Sequence, residues 1–226
     1  MIWPYQILNI IKKLMAGSNY IWILDNGHGA LTTDRKSPPI SEGVVFYEYE
    51  FNRAIVQRLI TKLAEAGIDY VDLVPDYENV GNFVMGRIAR ANKRTYPKTA
   101  LYLSFHSDAA PQTLCDGDGW VINAERVRGA TTFYESNDGA KIAARFVQNL
   151  ENDGLFNSRG FRRRTNKDGE QYYAVLRETK MTAIIIELGF FNNKLEVVNL
   201  LDNTFRDQIA DSIFKTIQQI ENDKPV

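Results

Sequence analysis

The sequence predicts an α/β fold: a single twisted, mostly parallel sheet flanked by helices on both faces. Two observations carry this expectation. Short apolar runs fit for buried strands alternate with segments whose apolar residues recur at helical spacing. No internal repeat, low-complexity tract or proline-rich linker divides the chain into separate units.

Taken in order, residues 20–24 read as the first strand. Phe51, Ile55, Leu59 and Leu63 then recur every four residues and mark a long helix, and an extended run follows from Tyr70. Asn82 is the expected cap of a helix carrying Phe83, Val84, Ile88 and Ala91. Residues 100–104 and 131–134 read as strands, and the region 111–128 between them as a long loop. Ile142, Ala143, Phe146, Val147 and Leu150 place a helix over residues 138–150. Residues 183–188 form a buried strand, and Phe205, Ile209, Ile213 and Ile217 mark a last helix.

Composition narrows the function. The 226 residues are 44% hydrophobic and 24% charged, enough to bury roughly 70% of the unfolded surface. The 27 basic and 28 acidic side chains leave a net charge of -1, so no overall field draws nucleic acid or an anionic membrane. Cys115 is the only cysteine, which excludes an internal disulfide and a thiolate-rich zinc site. Residues 1–17 carry Ile7, Ile10, Ile11 and Leu14 at helical spacing and are expected to form an amphipathic helix, packed on the domain or lying on a membrane surface or a partner. Lys12 and Lys13 interrupt that segment, which fits neither a secretory signal nor a membrane span.

The chain holds two histidines, His28 in "ILDNGHGA" and His106 in "LSFHSDA", each a few residues beyond a strand expected in the sheet. Ligands in open α/β sheets collect outside the carboxyl ends of the strands. Glu187 ends the run "AIIIEL", where a carboxylate is costly to bury unless it is paired, hydrogen-bonded or near a metal. Glu48 and Glu50 begin the first long helix, where an acidic side chain also favours the helix dipole. Two imidazoles and one carboxylate make a catalytic zinc set with the fourth position left to water, although no short ligand pair such as HExxH is present.

The motifs "ILDNGHGA", "EYEFN", "RIARAN", "LSFHSDA" and "IIIELGFFNN", in this order, resemble the zinc-dependent N-acetylmuramoyl-L-alanine amidases of the third amidase family, from about Tyr20 to Ile220. The resemblance implies a zinc amidase catalytic domain over residues 18–226 and one Zn2+ per chain. It assigns His28, Glu48 and His106 to the metal and Glu187 to catalysis. Glu48 is preferred over Glu50 because it stands four residues before Asn52. The implied reaction cleaves the amide between N-acetylmuramic acid and L-alanine in peptidoglycan. Arg177 matches a family segment and is the expected substrate contact, with Arg162, Arg163, Arg164 and Lys167 as a further basic loop.

Several residues depart from the family pattern. Asn26 stands in place of a usual proline, Asp108 in place of an asparagine, and Val74 and Pro75 stand where an arginine is usual. Rival readings are a zinc peptidase acting within the stem peptide, a catalytically silent peptidoglycan-binding module, and a cysteine hydrolase pairing Cys115 with His106. With no signal peptide recognised, the expected route to the bacterial cell wall is a lysis or secretion partner, as for a phage or prophage lysin.

Overall fold

The structure, a computed structural model, describes residues 17–223. Except for Gly17, the helix expected over residues 1–17 lies outside the described residues. Among the described residues, six strands form one sheet: β1 (Tyr20–Asp25), β2 (Tyr70–Asp72), β3 (Thr99–Asp108), β4 (Ala130–Tyr134), β5 (Ser158–Arg162) and β6 (Thr182–Phe190). Their order is β2-β1-β3-β6-β4-β5, and every neighbouring pair is parallel except β4 with β6. The helices are α1 (Glu48–Glu65), α2 (Val84–Lys93), α3 (Asn137–Asn152), α4 (Ala174–Glu178), α5 (Lys194–Leu201) and α6 (Asn203–Asn222).

Side chains alternate across a strand, and here the alternation builds two cores. Trp22, Leu24, Leu103, Phe105, Ile184 and Ile186 point to the face covered by α1, α3 and α6, joined by Phe51, Ile55, Phe146 and Ile213. Ile23, Tyr102, Ala183 and Ile185 point to the other, under α2 and α4, where Ile88, Ala91, Val175 and Leu176 meet them. Burial on both faces is why these strands read as continuous apolar runs.

Three local features differ from the sequence expectations. Asn82 does not cap α2; Phe83 holds that position with a left-handed φ of 51°, and the Asn82 carbonyl instead accepts from Arg87 Nε at 3.1 Å. β5 (SRGFR) lacks an apolar run because it is an edge strand whose Phe161 is exposed. α5 was hidden by the apolar run before it; the Asn193 side chain starts it by accepting from Leu195 N at 2.8 Å.

The start of β1 is fastened to the end of α6. Glu221 accepts from Ser18 Oγ (2.7 Å), from the Asn19 backbone N–H (2.6 Å) and from Trp22 Nε1 (2.8 Å).

Candidate metal centre and active site

The strand alternation that builds the second core also aims Asp25, Ser104, His106 and Glu187 to one face, at the carboxyl ends of β1, β3 and β6. His106 and Glu187 are register partners on adjacent parallel strands. Glu48 arrives from the opposite side, as the first residue of α1, whose amino terminus stands at that sheet edge.

These residues converge. Glu48 Oε1 lies 3.0 Å from His106 Nδ1, and Glu48 Oε2 lies 3.3 Å from His28 Nε2. The two imidazole rings meet edge to face with centroids 4.9 Å apart. One ligand atom from each of His28, Glu48 and His106 lies within 4.8 Å of the other two, a group able to hold a metal ion. Burial pushes Glu48 up, but hydrogen bonds and positive charge from His106 and His28 outweigh it and hold the carboxyl at about 2. His28 Nδ1 is buried and has no hydrogen-bond partner among the described residues.

The loop "NGHG" is built for this approach. A Cβ on Gly27 would stand 2.1 Å from His106 Cε1, and one on Gly29 would stand 2.1 Å from the Val80 carbonyl oxygen. His28 itself adopts a left-handed φ of 62°, a conformation that non-glycine residues hold only where surrounding contacts impose it. The contacts are visible. Asn52, one turn after Glu48 on α1, donates to the Gly27 carbonyl at 3.0 Å. Arg87 on α2 donates to the His28 carbonyl and pairs with Asp25. Asp25 also accepts from Tyr102 Oη (2.8 Å) and Ser104 Oγ (2.7 Å). Asn26 donates to the Val74 carbonyl at 2.9 Å, so the residue found in place of the usual proline ties the ends of β1 and β2 together.

Glu187 is buried beside the metal-ligand group, its Oε2 without a hydrogen-bond partner among the described residues. Burial raises its carboxyl well above the usual range, reinforced by the negative charges of Asp108 and Glu48 and opposed by Arg164 and Arg35. All of these line one cleft of about 470 Å³, together with Tyr172 and Tyr173.

The structure thus brings His28, Glu48, His106 and Glu187 together. Glu50 is exposed and accepts from Tyr49 Oη. Arg177 does not line the cleft: its Nη1 donates to the Gln171 carbonyl and its Nη2 pairs with Glu178, both at 2.7 Å. Arg164 and the two tyrosines line it instead. Cys115 is also outside the cleft, its sulfur facing the Ala110 carbonyl and the Asn192 amide, which removes the geometry a Cys115–His106 pair would need.

The chain is 24% identical over 208 residues to the N-acetylmuramoyl-L-alanine amidase LytC of Bacillus subtilis (strain 168), covering 92% of this chain and 36% of LytC. It is 25% identical over 112 residues to the probable cell wall amidase LytH of Staphylococcus aureus, covering 50% of this chain and 32% of LytH. The chain therefore spans about a third of the length of these curated relatives. Its fold is that of the N-acetylmuramoyl-L-alanine amidase crystal structure from Clostridium difficile 630, with a TM-score of 0.69 at 22% identity over 93% of this chain and 100% of the other. The family model described as N-acetylmuramoyl-L-alanine amidase matches residues 23–219, and the chain belongs to that family.

Proposed function

We propose that this chain hydrolyses the amide between the lactyl group of N-acetylmuramic acid and the L-alanine of the peptidoglycan stem, with one Zn2+ held by His28, Glu48 and His106 and with Glu187 as the proton carrier. The observation that carries this reading is the donor set itself: two imidazoles and one carboxylate with ligand atoms within 4.8 Å, beside a buried carboxylate with an unpartnered oxygen. Such sets leave a coordination position open for water. When bound, zinc supplies Lewis acidity toward the scissile carbonyl and the attacking water.

The chain's own residues do the rest. Glu187 takes a proton from water as its oxygen bonds to the carbonyl carbon, then gives the proton to the departing L-alanine nitrogen as the C–N bond breaks. Burial and the negative charges of Asp108 and Glu48 raise the affinity of the Glu187 carboxyl for a proton, which favours its taking one up from water. The network of Asp25, Arg87 and Asn52 holds the His28 loop in place while this happens. Delivery to the cell wall by a lysis or secretion partner is part of the same proposal.

Mass analysis of fragments released from purified peptidoglycan tests the reading. Intact stem peptides with a free L-alanine amine are expected. Fragments cut within the stem, with the muramoyl amide intact, would instead establish a peptidase, and no release at all would establish a silent binding module.

A further inference from the structure

Of the arginines in the basic loop before β6, two are already engaged and one faces the cleft. Arg163 pairs with Glu135. Arg162 lies over Phe133 and donates to the Arg159 carbonyl at 3.0 Å. Arg164 lines the cleft with the three metal-ligand candidates and Glu187. Its guanidinium carbon stands 4.1 Å over the ring of Tyr172, and its Nη1 donates to Tyr173 Oη at 3.1 Å.

Both contacts are with neutral side chains, and among the described residues no carboxylate forms an ion pair with Arg164. A guanidinium covering a ring face keeps its N–H groups in its own plane, and with Nη1 on Tyr173 the Nε and Nη2 edge remains as a two-pronged donor. That edge matches a carboxylate. Fixing it in advance reduces the side-chain ordering that binding must otherwise cost. The Asp108 and Glu187 carboxyls line the same cleft as Arg164.

We propose that Arg164 binds the first free carboxylate beyond the scissile amide, so that the cleft discriminates stem peptides carrying that group from those in which it is a carboxamide. This rests on the amidase reading above. In that reading the amide nitrogen belongs to L-alanine, and the first side carboxylate lies on the next residue, a glutamate. Two extended residues span ~7 Å, so this group falls within reach of the cleft wall while the amide sits at the metal centre.

A pair of muramoyl tripeptides differing only in carboxylate or carboxamide at the second stem residue decides the matter. Calorimetric titration of the Glu187→Gln protein is expected to show the carboxylate form binding roughly 10-fold to 100-fold tighter, the scale of a charge-assisted hydrogen-bonded pair. Arg164→Gln in the same background should bring the ratio close to one, and Arg164→Lys should restore part of it. In the otherwise unaltered enzyme the preference should lie in KM. Equal affinity for the two forms, or an Arg164→Gln effect confined to kcat and the pH profile and equal for both substrates, would overturn the inference. Failure of the unaltered enzyme to release L-alanine amine from either form would overturn the amidase reading instead, and the titration would still decide the role of Arg164.

Discussion

Asn52 donates to the carbonyl of Gly27 at 3.0 Å from one helical turn below Glu48. The same helix face therefore supplies a metal-ligand candidate and the brace for the loop that carries another. Asn52→Ala should lower zinc affinity roughly 10-fold to 100-fold, the usual cost of losing a residue that orients ligands. Zinc titration with a competing chelator measures it; unchanged affinity would show that the loop needs no brace.

Glu48 and Glu187 should respond differently to truncation. Glu48→Ala removes a ligand and should leave the purified protein without zinc. Glu187→Ala should retain zinc while losing on the order of 100-fold to 10,000-fold in turnover. Zinc content and rate measured on the same preparations separate the two roles, and near-parent turnover in Glu187→Ala would refute the mechanism.

Removing the metal should destabilise the fold. Zinc at about a thousand times its Kd adds about 4 kcal/mol to the folded state, and a domain of this size loses about 2–4 °C of Tm per kcal/mol. Calorimetry with and without a chelator is expected to show a Tm lower by about 10 °C. A chelator effect that persists in Glu48→Ala would come from somewhere other than this centre.

Gly27→Ala should damage the centre rather than the fold, because the new Cβ would stand 2.1 Å from the His106 ring. Gly117 has nothing within 4 Å of its would-be Cβ, and Gly117→Ala should bind zinc as the parent does. Parallel zinc assays and circular dichroism on the two variants check this contrast.

Arg87→Met should cost about 3–5 kcal/mol, since it leaves the Asp25 carboxylate buried without its ion partner. Burial pushes Asp25 up, but the Arg87 charge and the Ser104 and Tyr102 hydroxyls hold it below 3.8 in the intact protein. A lowered carboxyl stabilises above its unfolded value and loses that contribution as pH falls through the folded one. Without Arg87 the sign reverses and the carboxyl is raised. The stability deficit measured by urea unfolding should therefore be greatest at neutral pH, begin to shrink above the ordinary carboxylate value of ~4 as the variant's Asp25 takes up a proton in the folded state, and shrink further below it as the parent loses its own contribution.

The sheet and its long helices were legible in the sequence because burial on both faces leaves unbroken apolar runs, as at Ile184, Ile185 and Ile186, and four-residue spacing, as at Phe51, Ile55 and Leu59. His28, His106 and Glu187 stood out for a related reason, since each follows or ends such a run and polar residues there need a purpose, whereas Glu48 was separated from Glu50 only by the family resemblance. The cleft wall was harder to read. Arg162, Arg163, Arg164 and Arg177 are equivalent as letters, and only the positions of Glu135, Phe133, Glu178 and Tyr172 decide which guanidinium is engaged elsewhere and which faces the cleft. The brace made by Arg87 was equally hidden, because its partners Asp25 and His28 lie about sixty positions away.

The clamp that Glu221 makes on Ser18, Asn19 and Trp22 draws both ends of the described chain to the side of the sheet where the parallel strands begin, across the molecule from the cleft where they finish. A unit with neighbouring ends can be spliced into a larger polypeptide as a cartridge. Gly17 and Asp223, the first and last described residues, therefore stand at the rear of the sheet, away from the mouth of the cleft.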